Sequence, residues 1–354
     1  MRLWISRMVC ALALAVGLAG GVARADAKPL PVKVVIVTTF EIGADTGDVA
    51  GEFQPWVEGW PLKREIRIPG VRHVARYSDD GVLAIVSDMR GRARESVAAL
   101  IQSRQFDLSK AYWIVSGIAG VDPAVASVGS AAWADYVVDA DPIYEVDEHE
   151  IPADWPYGLY SNDTDRPNVK GKAEGSSAMV WKLDTGLVDW AYGLTRDIKL
   201  PDSPALQGLR GGYKGEPQGQ RPPFVLRGDA LGTVRFWHGA NRTLWARDWV
   251  KLWTDGAGTF TMTDCEDQGI LDVLDVYADS GRIDRRRVLV LRTASNYSRP
   301  PLDQPTFPRV FHDEGAGAAF DATFRVGGVV ARELVAHWDR YSGTLPVAAA
   351  AGSR

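Results

Sequence analysis

Residues 112–123 read Tyr-Trp-Ile-Val-Ser-Gly-Ile-Ala-Gly-Val-Asp-Pro, and the change of character halfway along them decides the fold class. Tyr112 to Val115 is an aromatic and β-branched run suited to a buried strand. It opens into a glycine turn, Ser116-Gly117-Ile118-Ala119-Gly120, of the kind that ends strands in open α/β sheets. Upstream, Val32 to Thr39 (VKVVIVTT), bounded by Pro31, Gly43 and Gly47, is a second buried strand, and Val82 to Val86 a third. Between them and Tyr112, residues Arg92 to Ser103 have helical spacing, with Val97, Leu100 and Ile101 on one side. Strand, helix and strand in that order give a parallel βαβ unit. Downstream, Tyr136 to Val138, Phe224 to Leu226, Thr259 to Thr263 and Val288 to Arg292 are further strands, and Gln268 to Ala278 and Val329 to Trp338 are helices. The stretch from 154 to 220 is dense in Gly, Pro, Asp and Asn and reads as an insertion with a short helix near Thr185 to Leu194. One α/β domain over residues 26–345 is expected, with 346–354 as an Ala-rich tail.

The N-terminus has a different texture. Arg2 and Arg7 precede an apolar run from Met8 to Val22, followed by Ala23-Arg24-Ala25. This is the layout of a cleavable secretory signal over residues 1–25, and the run falls short of the roughly 20 residues that span a bilayer. Export to the periplasm or the extracellular space is the expectation. Cys10 lies inside the signal, leaving Cys265 alone and no disulfide in the mature chain. With 40 Lys and Arg against 45 Asp and Glu, interspersed and netting −5, the chain lacks the basic stripe of a nucleic-acid binder. No other stretch is long and apolar enough to cross a membrane. His73, His149, His238, His312 and His337 show no zinc-motif spacing, so neither a metal nor another cofactor is expected. Trp245, Trp249 and Trp253 recur every fourth residue and read as the buried face of a helix.

Polar groups gather where the expected strands end: Phe40-Glu41, the Ser116 to Gly120 turn, Gly228-Asp229, Asp264-Cys265-Glu266-Asp267 and Ala294-Ser295-Asn296. Their order and spacing resemble the nucleoside phosphorylase and nucleosidase superfamily, and within it the purine nucleoside permeases. GIAGVDP (117–123), GDALGTVRFWHG (228–239) and RTASNYSRPP (292–301) carry the likeness to the permeases. The resemblance implies a three-layer α/β/α sandwich around a mixed, mostly parallel sheet. It also implies a purine nucleoside ligand bound by Ser116, Gly117, Ile118, Ala119, Gly120, Asp229, Trp237, His238, Cys265 and Glu266. Glu266 would hold the ribose hydroxyls, although an acid just before a helix also suits the helix dipole. Glu41 would activate the attacking water, and Asn296 falls where similar nucleosidases place the acid that protonates the departing base. An amide delivers no proton by itself. Either hydrogen bonding alone stabilises the base, or Asp264, Asp267 or His238 supplies the proton, or the protein binds nucleosides without cleaving them. Arg90, Arg92 and Arg94 are the candidates for a phosphate contact. Two functions follow: an exported enzyme that hydrolyses purine nucleosides, and a nucleoside-binding component that serves a separate membrane transporter. Homo-oligomerisation stays open.

Overall fold

The computed structural model describes residues 28–172, 178–304 and 312–348. The expected signal, Cys10 and the end of the tail from 349 lie outside the described residues. The chain runs β1 (Leu30–Pro31), β2 (Val34–Thr38), α1 (Gln54–Gly59), β3 (Arg64–Ile66), β4 (Ala75–Tyr77), β5 (Val82–Val86), α2 (Gly91–Gln102), β6 (Phe106–Asp107) and β7 (Tyr112–Val121). It continues through β8 (Ala131–Trp133), β9 (Tyr136–Asp139), β10 (Ile143–Glu145), β11 (Leu159–Ser161), β12 (Val180–Lys182), α3 (Thr185–Thr195) and α4 (Pro204–Gly211). The remainder holds β13 (Val225–Arg227), β14 (Asp229–Gly232), α5 (Ala240–Trp253), β15 (Phe260–Asp264), α6 (Asp267–Asp279), β16 (Val288–Tyr297), α7 (Asp313–Ala336) and α8 (Trp338–Tyr341).

Among the described residues, twelve strands join one mixed sheet, in the order β12-β9-β14-β15-β7-β2-β5-β4-β3, with β16 also on β7, β8 on β16 and β13 on β8. The βαβ expectation holds: β2 is parallel to β5 and to β7, with α2 in the connection between β5 and β7. The helices fall into two packing groups. α7 lies on β16 and β7 and receives α1, α3 and α4, whereas α2 packs on α6, which covers β14 and β9. Helices on the two faces of a mixed sheet make the three-layer α/β/α sandwich.

Two expected turns are strand. β7 runs unbroken through Ser116 to Gly120, and β16 through Ala294 to Asn296. Glycine in a strand marks a close approach as often as an end, and both glycines of β7 do so here. A Cβ on Gly117 would overlap Arg292 Nη1, and one on Gly120 would sit 3.1 Å from Asn296 Nδ2. Helix α7 begins at Asp313, well before the expected Val329, because its first half is rich in Gly and Ala and hides the apolar period. Gly327 lets Trp56 approach: a Cβ there would lie 2.9 Å from the indole. The 154–220 stretch is woven into the domain, with β12 pairing antiparallel to β9 and α3 packing on α7.

The main core lies between β2, β5, β7 and β16 and their helices; every residue of β2 and β5 is buried. A second core is a ladder of indoles from α5. Trp245, Trp249 and Trp253 stack 5.9 and 5.7 Å apart against Val138, Leu231 and Phe260. Trp237 belongs to this ladder, 5.9 Å from Trp245 and 6.0 Å from Phe260.

Candidate functional site

The sheet forks at β7. Its first half pairs with β2 from Tyr112 to Val115, and only at Gly120 and Val121 does β15 take up the same strand. In the interval the main chain must find other partners. The Ile118 N–H finds one in Glu52, donating to Oε1 at 2.7 Å. Strand ends that diverge in this way open the crevice in which α/β sheets hold ligands. Here the crevice is a cavity of about 990 Å3 whose floor includes Ile118, Ala119 and Gly120, and Glu52, Glu266 and Asn296 line it.

Glu52 lies just ahead of α1 and is 1% exposed. Its Oε2 accepts from the Thr39 N–H at 2.6 Å and the Thr39 hydroxyl at 2.8 Å. A carboxylate offers about four lone-pair sites, so Oε1, bound only by Ile118 N–H, keeps one free. Burial pushes the Glu52 carboxyl up to about 7; Arg292 opposes that rise, and the Glu266 charge adds to it. A carboxylate poised near neutrality inside a cavity suits a general base.

Glu266 sits between β15 and α6. It is buried, its Oε1 accepts from the Arg90 N–H at 3.0 Å, and its Oε2 accepts from the Cys265 N–H at 3.3 Å. It does not cap α6: Asp264 Oδ1 does, accepting from the N–H groups of Glu266 and Asp267 at 2.9 and 2.8 Å. Each Glu266 oxygen therefore keeps acceptor capacity for a ligand hydroxyl. Burial raises its pKa above that of an ordinary carboxylate, against the pull of Arg292.

Asn296 reaches the cavity through a β-bulge, the register of β16 on β7 shifting between Ala294 and Asn296. Bulges re-aim side chains next to active sites. Its Nδ2 donates to the Tyr297 carbonyl at 3.0 Å and its Oδ1 accepts from the Ser295 hydroxyl at 2.9 Å, which leaves one N–H for a ligand. Asn296 also borders a smaller cavity, about 200 Å3, lined by His238 and His312.

The remaining expected residues divide. Cys265 lines the cavity as a neutral thiol, its pKa pushed up to about 12 by burial and by the charges of Glu266 and Asp264. Ser116 and Gly117 lie beneath the floor; Ser116 is buried in the strand, and Gly117 makes room for Arg292 and Glu52. Asp229 is a structural acid away from the cavity, accepting from the Tyr136 N–H at 2.8 Å and the Thr259 N–H at 2.5 Å. Trp237 is held in the indole ladder and does not line the cavity. His238 borders the smaller cavity, and burial lowers its pKa to about 4, so it is neutral at pH 7 and is no proton donor. Asp267 is consumed by a two-point pairing with Arg292 at 3.0 and 2.5 Å.

Glu41 is outside the cavity lining and is tied to main chain. Its Oε1 accepts from Ile42 and Gly51, and its Oε2 from Phe53 and Gln54 at 2.8 and 2.5 Å. It clamps the loop that returns Glu52 to the strand end and caps the start of α1. Glu52 is thus the cavity carboxylate that sequence reasoning passed over. The signal available was its position directly before a helix start, Phe53-Gln54-Pro55. Of the arginines, Arg90 lines the cavity, whereas Arg94 pairs with Asp272 at 3.3 Å. Among the described residues, no group of three or more His, Cys, Asp or Glu is placed to hold a metal ion.

Comparison with known proteins agrees with this fold. A solved 5'-methylthioadenosine/S-adenosylhomocysteine nucleosidase from Neisseria meningitidis shares the fold, with a TM-score of 0.51 at 12% identity over 85% of this chain and 99% of that one. A purine nucleoside permease of Candida albicans is 27% identical over 326 residues, 87% of this chain and 76% of its own length. A probable purine nucleoside permease of Schizosaccharomyces pombe is 26% identical over 263 residues, covering 72% and 75%. The family model described as Purine nucleoside permease (NUP) matches residues 31–346. Spanned by that model over all but its ends, this chain belongs to the purine nucleoside permease family.

Proposed function

We propose that the protein is an exported purine nucleoside-binding protein that cleaves the N-glycosidic bond by hydrolysis. The observation that carries the reading is the convergence of Glu52, Glu266 and Asn296 on one cavity. In this reading the two ribose hydroxyls donate to Glu266, whose oxygens are each only partly used. A water donates to the free lone pair of Glu52 Oε1 and attacks the anomeric carbon. Glu52 takes its proton, the carbon–nitrogen bond breaks with its electron pair passing to the purine, and Asn296 donates its spare N–H to the base. The base then acquires its proton from solvent, since the amide has none to give.

That last step supports a second reading, nucleoside capture for uptake without cleavage. No described helix is long and apolar enough to cross a membrane, so this reading assigns transport to a separate membrane component. Incubating the purified mature protein with adenosine, inosine and guanosine, with and without phosphate, separates the two. Hydrolysis gives free base that accumulates without phosphate and is reduced about 10²- to 10⁴-fold in Glu52→Gln. Bound nucleoside that stays intact over hours, at protein concentrations near that of the ligand, leaves the capture reading.

A further inference from the structure

Arg292 stands under the cavity floor, 1% exposed, where three carboxylates meet. Beyond its pairing with Asp267, its Nη2 lies 3.4 Å from Asp264 Oδ1 and its Nη1 lies 3.7 Å from Glu266 Oε2. Nη1 also donates to the Ile118 carbonyl at 3.3 Å, the residue whose N–H holds Glu52. Gly117 lets these groups meet: a Cβ there would overlap Arg292 Nη1 and lie 2.8 Å from Glu52 Oε1. Arg292 does not line the cavity. We propose that Arg292 is the positioning residue of the site, setting the ionisation of both Glu52 and Glu266 without touching ligand.

The charges around it decide the sign. Asp264 and Asp267 face it from β15 and α6, Glu266 from the connection between them, and Glu52 acts on it across Gly117. The Arg90 main chain and the Cys265 thiol complete the surroundings of Glu266. Four buried acids share this one guanidinium, in a place where water screens little. Burial drives Glu52, Asp264 and Glu266 toward their protonated forms, and Arg292 opposes it in each case. Burial alone would lower the pKa of Arg292 itself, but Asp264, Asp267 and Glu266 outweigh that, so its charge is permanent. Without it, Glu52 and Glu266 hold their protons to higher pH. With Asp267 neutralised, one anion is gone and the positive charge weighs more heavily on the remaining three, Glu52, Asp264 and Glu266.

The test is a titration of ligand-free protein carrying ¹³C-carboxyl glutamate, with the Glu52 and Glu266 signals assigned from their Gln variants. Arg292→Gln should move both titrations to higher pH by about one pH unit or more. Asp267→Asn should move them the opposite way. Unmoved titrations in both variants, or movement in the same direction, would overturn the proposal, because a merely structural role predicts no opposite signs. Should Arg292→Gln fail to fold, the Arg292→Gln/Asp267→Asn double variant is compared with Asp267→Asn: titrations at higher pH in the double variant support the assignment, and equal or lower ones sink it. The functional consequence rests on the nucleoside reading, whereas the titration needs no nucleoside. A protein that binds no purine nucleoside would remove that reading and leave this result standing.

Discussion

In the proposed hydrolysis, Glu52 and Asn296 divide the two ends of bond cleavage between them, one taking a proton and the other holding the base. Because Glu52 works as a base only when ionised, and burial sets its pKa at about 7, kcat/KM should rise as pH increases from 5 and level off above about 7. A flat profile across that window would contradict its role. Asn296→Asp should retain or raise turnover and add a falling limb at higher pH, since the new acid helps only while protonated. Free purine measured by chromatography at several pH values reports both. Glu266 and Asn296 were legible in the sequence because short motifs surround them. The choice between Glu41 and Glu52 was not, since both lie in one loop and only its folded path decides. The loop doubles back, with the Glu52 N–H bonding the Phe40 carbonyl at 3.2 Å, and this brings the later acid to the strand end.

At the level of elements, the site depends on how β16 and α7 meet. Gly315 in the first turns of α7 packs on the bulge that aims Asn296, and a Cβ there would overlap the Ser295 carbonyl oxygen. Gly315→Ala should therefore cost about 1–3 kcal/mol in a denaturant titration and weaken nucleoside binding together with stability. The indole ladder of α5 gives the contrast. Trp249 is 3% exposed, and its Nε1 donates to the Asp139 carbonyl at 2.8 Å. Its replacement by Ala should cost about 3–5 kcal/mol, while the folded fraction keeps its nucleoside affinity. The β-branched strands and the tryptophan helix were readable because burial there follows simple periods. The Ser116–Gly120 and Ala294–Asn296 stretches were read as loops because glycine and polar residues dominate them. Their reason for being strand is tertiary: Arg292, Glu52 and Asn296 need the space that a side chain on Gly117 or Gly120 would fill.

Across the whole molecule, one long strand changes partner from β2 to β15, and that exchange creates the cavity. No local pattern in residues 112–121 encodes such an exchange, so the α/β class was legible while the fork was not. The proposed export belongs to this scale too. N-terminal sequencing of the secreted or periplasmic protein should find a chain beginning near Asp26, and a mature protein that keeps Met1 would contradict the signal assignment. The central claim is that this cavity holds a purine ribonucleoside by its sugar. Calorimetric titration of adenosine, inosine and guanosine into wild type and Glu266→Gln tests it most directly. Binding by wild type, weakened roughly ten- to a hundred-fold in the variant, or about 1.5–3 kcal/mol, is the result the account predicts; equal affinity in a folded Glu266→Gln protein would contradict it.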